Sequence, residues 1–240
     1  IAGMSIEPFG GAVHDNRLWG RGSTDMKGPL ACMLAALLEL RARDDWRGMV
    51  TVGCVVDEET EFQGILKLID DNAPWDFAVV GEPTRMRVVR GCKGCLRSVV
   101  RVRGRTAHSS DPSQGRNAIL GMAPVLEALQ AFFDFEIGQF TRDGFSPCTG
   151  SVGLIKGGSA INIVPDDCTV TFDIRTVPGQ SSADTMAALE TFVRQRVSER
   201  DGIEFIVAPP FHDSPSFETA ANHPLVQTAC ALQNQPEPDT

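Results

Sequence analysis

The chain has 240 residues, 42% of them hydrophobic and 22% charged, enough for one large globular domain or two smaller ones, and disorder is not indicated. A formal net charge of -9 with no run of Lys or Arg argues against nucleic acid and against an anionic membrane surface as partners, because both demand clustered cations. Seven scattered cysteines, an odd number, do not read as a disulfide framework and suggest a reducing, cytoplasmic setting.

The opening stretch through Ser23 is rich in Gly and turn formers and reads as loop with short extended pieces. From about Lys27 to Arg43, the residues Leu30, Met33, Leu34, Leu37 and Leu38 follow helical spacing. The apolar run PLACMLAALLEL inside it is too short to span a bilayer and reads as a buried helix. No signal or transit peptide is expected before it. MVTVGCVV (49–56) reads as a buried strand, EFQGILKLIDDN as a helix and WDFAVV (75–80) as a second buried strand, together a parallel unit with a right-handed crossover.

After Arg90 the pattern changes. CLRSVVRVRG alternates as a half-exposed strand and GRNAILGMAPVLEALQAFF is helical. TGSVGLIKGG and CTVTFDIRTV are strands, SADTMAALETFVRQRVSER is an amphipathic helix with a Ser cap, and GIEFIVAPPF is a strand. That βαββαβ order is the ferredoxin-like one. The expected class is α/β: a parallel-sheet domain in 1–90, an inserted ferredoxin-like domain in 91–212, and a return to the first domain in 213–240 with a short helix near HPLVQTACALQ.

Ligands of open parallel sheets bind beyond the carboxyl ends of the strands. Glu58 and Glu59 follow the first predicted strand, Glu82 the second, and Asp25 sits at the loop-to-helix junction before both. Any one of these acids alone reads more simply as a helix cap, a helix-start charge or a surface residue; four at one sheet edge do not. Two carboxylates about 4 Å apart repel by roughly 4 kcal/mol at an effective dielectric of about 20. A divalent cation is the compensation that best suits a cleft of converging carboxylates.

The motifs LWGRGSTDMKG, VVDEETEFQG, VVGEPT, GRTAHSSDPSQGRNAI and NIVPDDCTVTFDIRTVPG, in this order, resemble the acetylornithine deacetylase and succinyl-diaminopimelate desuccinylase family of dinuclear zinc hydrolases, with DEET and AHSSDP nearest the deacetylases. The resemblance implies Asp25 as the carboxylate bridging two zinc ions, with cobalt or manganese as alternatives, Glu59 and Glu82 as one ligand each, and Glu58 as general base. It implies His108 as an oxyanion donor lent across a homodimer formed through 91–212, and Asn162 and Arg175 as contacts to a small N-acyl amino acid. Read by itself, Arg175 serves equally well as a strand-edge salt bridge, and His108 as a surface loop histidine.

The same resemblance exposes a departure. Two histidine ligands expected of the family, one in an H-x-D before the first motif and one near the C-terminus, have no counterpart: His14 lies in a turn and His223 at a helix start, and both read as solvent histidines. Since the chain begins at Ile1 rather than Met and stops at NQPEPDT, it is expected to be a piece of a longer enzyme. Cys92 and Cys95 form a lone C-x-x-C without the second pair of a zinc ribbon, and read as two strand thiols. Rival readings within the fold are desuccinylation and dipeptide or carboxypeptide cleavage; outside it stands a binding protein that has lost its metal.

Overall fold

The computed structural model describes residues 4–71, 74–197 and 204–240. The chain divides into two compact units, Ile1–Arg87 and Val88–Thr240.

In the first unit β1 (Ala12–His14) and β2 (Arg17–Trp19) make an antiparallel hairpin. Its two-residue turn, Asp15 and Asn16, has φ of 51° and 58°, the left-handed conformation that Asp and Asn tolerate and that suits a tight hairpin. The periodic leucines form α1 (Lys27–Arg41), and the second helical run forms α2 (Gln63–Asp70). The expected strands at 49–56 and 75–80 are not formed, so the parallel crossover unit is not closed among the described residues. Val56, Val79 and Val80 are each 71% exposed. Their apolar composition reports a preference for burial, but a strand also needs a neighbour to take its backbone N–H and C=O groups. No described residue of this unit is buried.

The second unit holds the core. Its elements are β3 (Gly91–Cys92), β4 (Cys95–Arg103), β5 (Ala107–His108), α3 (Ala118–Ala131), β6 (Thr149–Gly157), β7 (Ile163–Val164), β8 (Asp167–Arg175), α4 (Ser182–Arg196), β9 (Glu204–Val207), β10 (His212–Ser214), β11 (Phe217–Glu218) and α5 (Pro224–Gln233). The main sheet runs β9-β4-β8-β6 with antiparallel neighbours, and β10 continues along the same edge of β4 as β9. This is the expected βαββαβ arrangement.

Leu96, Val100 and Val102 of β4 and Val170, Phe172 and Ile174 of β8 point to one face, where they meet Met122, Val125 and Leu129 of α3 and Leu189 and Val193 of α4. Burying side chains of this size is worth about 1.5–3 kcal/mol each in transfer free energy. Asn117 caps α3 by accepting from the amides of Ile119 and Leu120, and Ser181 caps α4 by accepting from Asp184. A single turn of π-helix, Phe132–Glu136, and a 3₁₀ turn prolong α3 to Gln139. This run of 22 residues is apolar and long enough to cross a membrane. It is the domain's own core helix, with Met122, Val125 and Leu129 completely buried.

Residues 213–240 cluster with the second unit. β11 pairs with β3, the Gln235 side chain accepts from Val88 N at 2.8 Å, and Asp239 exchanges backbone bonds with Val88 and Arg90. The return of this segment to the first domain therefore stands as a proposal. His223 is half-buried and accepts from Leu225 N at 3.3 Å as the cap of α5, so it is no solvent histidine. His14 is exposed and stacks on Trp19 with ring centroids 4.8 Å apart.

Candidate active site

Asp25 lies in the turn leading into α1, closed by Lys27 N donating to Gly22 O at 2.8 Å, and its bond to Met26 is cis. Glu58 and Glu59 sit on a tight turn between residue 57 and α2. Asp57 organises that turn with φ of 68°: its carbonyl accepts from Phe62 N at 2.8 Å, and its carboxylate accepts from the Thr60 hydroxyl. Helix α2 then packs directly on Val56, because a Cβ on Gly64 would stand 2.5 Å from both Val56 N and Val56 O. The first turn of α2 contains no acid, so Glu58 and Glu59 are not there to satisfy its dipole.

What joins the four acids is Glu82. Burial pushes its carboxyl above the usual carboxylate range, and the negative charges of Asp25, Glu58 and Glu59 push it further the same way. The four carboxylates therefore share one field, although the strands expected to place them are not formed. A cation would relieve it. Among the described residues, however, no group of three or more His, Cys, Asp or Glu is close enough to hold a metal ion. The donors are all carboxylate oxygens, whereas zinc sites lean on imidazole or thiolate as well. The set suits a cation in charge and does not amount to a zinc site.

In the second unit His108 and Asn162 come together. The β5–β7 pairing sets His108 opposite Ile163, and Ser109 N donates to Asn162 O at 3.0 Å. Gly115 lets the returning chain pass beneath: a Cβ there would meet Ala107 Cβ at 2.9 Å and Val164 Cγ1 at 2.8 Å. An open cleft of about 470 Å³ flanks the pair, lined by Asn117, Ile119, Ser159, Ile161 and Ile163 among others. The exposed imidazole turns Nδ1 to Ser110, 2.8 Å from its hydroxyl and 3.2 Å from its amide.

Arg175 is elsewhere. It ends β8, while Asn162 precedes the start of that strand at Asp167. Eight strand steps of about 3.3 Å put roughly 26 Å between the two ends. There Arg175 Nε donates to Asp173 at 2.8 Å and Arg97 Nε to the other oxygen at 2.9 Å, the salt bridge that was the alternative reading of this residue.

Asp57 and Ser110 were missed as site residues. The signals existed: Asp followed three residues later by Thr is a self-bonding turn pattern, and a serine two positions after a histidine can reach back to its ring.

Residues 90–201 match the family described as peptidase dimerisation domain. That stretch belongs to this family. The dimerisation domain and its flanks are together 35% identical over 236 residues to the acetylornithine deacetylase of Vibrio vulnificus, covering 92% of this chain and 59% of that protein. Against the acetylornithine deacetylase of Salmonella arizonae the figures are 34% over 227 residues, 92% and 58%. The chain thus spans about three fifths of the length of the curated relatives it matches. Among solved structures, a tripeptidase from Staphylococcus aureus superposes with a TM-score of 0.67 at 23% identity, covering 88% of this chain and 54% of that one. The aminopeptidase PepT of Bacillus cereus gives 0.67 at 20%, covering 100% and 62%. The α/β fold that contains the dimerisation domain is common to these chains.

Proposed function

We propose that the protein built on this chain is a metal-dependent amidohydrolase that removes an N-acyl group, acetyl in the first instance, from a small amino acid such as N-acetylornithine. Two zinc ions, or cobalt or manganese, are the proposed cofactor, with Asp25, Glu59 and Glu82 as carboxylate ligands and the imidazole ligands outside this chain. The observation that carries the reading is the shared field at Glu82, which relates four acids from three separate segments. The substrate comes from the names of the deacetylase relatives. Seven free cysteines accord with a cytoplasmic enzyme.

In this reading Glu58 takes the proton from the attacking water and hands it to the leaving amine, general acid–base work worth about 10² to 10⁴-fold. His108 donates to the oxygen that becomes negative as the amide carbonyl turns tetrahedral. Asn162 and Arg175 hold the substrate, Arg175 by paired bonds to a carboxylate.

The separation of Arg175 from the His108–Asn162 pair favours sharing between two copies. About 26 Å is far more than a small acyl amino acid can bridge, so one chain cannot bring both ends of β8 to one substrate, whereas a homodimer through 91–212 can. Subunit mixing tests this. Inactive His108→Ala and inactive Glu58→Ala proteins, mixed in equal amounts, are expected to recover up to about a quarter of wild-type activity, since half the random dimers carry one intact site. No recovery after verified subunit exchange refutes the shared site.

A further inference from the structure

We infer that the Ser110 backbone amide is a positioning group that fixes the tautomer of His108, placing the ring hydrogen on Nε2 so that this nitrogen stands as a donor turned away from its own loop. The inference rests on the reading of His108 as an oxyanion donor and deepens it.

The loop after β5 is built so that one amide is left for the ring. Ser109 N is spent on Asn162 O at 3.0 Å and Asp111 N on His108 O at 3.0 Å. The Ser113 hydroxyl donates to the Asp111 carboxylate at 2.6 Å, and Gly115 N to Pro112 O at 3.0 Å, which closes the following turn. Between these anchors Ser110 N points at His108 Nδ1, 3.2 Å away.

A backbone amide can only donate. Nδ1 must therefore accept, and a neutral imidazole with an accepting Nδ1 carries its hydrogen on Nε2. The Ser110 hydroxyl, 2.8 Å from the same nitrogen, can rotate to donate as well. In the other tautomer the hydrogen on Nδ1 would face the amide hydrogen, and only the hydroxyl could turn to accept it. The amide thus sets the tautomer, and the hydroxyl, able to donate or accept, adapts to it. Ser110 does not touch substrate in this scheme; it acts through His108.

Nitrogen-15 spectra of the histidine side chains read the tautomer directly. Only four histidines are present, and a His108→Ala variant assigns the ring in question. At about pH 8, above the ordinary histidine range near 6.5, His108 is expected to show a bare Nδ1 and a protonated Nε2. In Ser110→Pro, which has no amide hydrogen, the Nδ1–H share should rise and the two resonances move towards each other, while Ser110→Ala, which keeps the amide, should hold the wild-type pattern. Unchanged signals of His14, His212 and His223 verify that each variant is folded. A proton on Nδ1 in the wild type, a Ser110→Pro spectrum identical to wild type, or a rise of the Nδ1–H share in Ser110→Ala overturns the inference. In the full-length enzyme Ser110→Pro should lower kcat roughly 10-fold with KM within about 2-fold, a fraction of what loss of an oxyanion donor costs. Should His108→Ala leave turnover intact, the oxyanion role fails while the spectra still decide the tautomer.

Discussion

Two arginines converge on Asp173. Burial by itself would raise this carboxyl, but hydrogen bonds from Arg97 and Arg175 and a weaker one from the Cys95 thiol outweigh it and hold it below the usual carboxylate range. Glu218 is lowered in the same sense by Arg90 and Arg142. A carboxylate depressed in the folded state adds stability that is complete above its unfolded pKa of about 4 and is lost as pH falls through the depressed folded value. The melting temperature of the unit Val88–Thr240 is therefore expected to fall as pH drops below about 4. An Asp173→Asn, Glu218→Gln double variant should melt lower than wild type at about pH 6 and converge with it towards about pH 2. A constant offset across that range would contradict the assignment. The same geometry bears on Arg175: to grip a substrate carboxylate it must leave or share Asp173, a competition invisible in the sequence, where only the D-x-R spacing is seen.

At the scale of elements, the βαββαβ arrangement was legible because its strands and helices, from β4 to β9, complete one another. Alternation in β4 and β8 and the helical period of α3 each name a face, and those faces meet. The runs 49–56 and 75–80 have equally good strand composition and remain unpaired and exposed, because period and composition encode burial preference and not the presence of a partner. The π-turn after α3 and the short strands β10 and β11, which pair with β4 and β3, had no signal. Gly64, by contrast, could be read as a small residue but not as a contact. Gly64→Ala forces its Cβ onto Val56 backbone atoms and should cost about 1–3 kcal/mol of stability in chemical denaturation. Gly153→Ala, whose added carbon meets only Thr171 O at 4.0 Å, should change it by about 0.5 kcal/mol or less. Equal losses would mean that α2 is not seated as described.

For the whole molecule, composition argues against polyanionic partners for a physical reason: a net charge of -9 without basic clusters offers nothing to a polyanion. The four acids were placed by strands that the structure does not form, and what relates them in it is the field that Asp25, Glu58 and Glu59 exert on Glu82. Their ligand geometry was not legible, since carboxylates alone do not define a zinc site. The division of labour between the two neighbours Glu58 and Glu59 is the most exposed part of the proposal, because a mere acidic patch would treat them alike. The decisive measurement is metal content together with steady-state turnover of N-acetylornithine in the full-length protein carrying Glu58→Gln or Glu59→Gln. Glu58→Gln should keep its metal and its substrate affinity while kcat falls by roughly 10² to 10⁴-fold. Glu59→Gln should lose metal and regain part of its activity in excess zinc. Retention of metal without turnover in Glu59→Gln, with metal loss in Glu58→Gln, would reverse the two roles, and full activity in both would remove the site altogether.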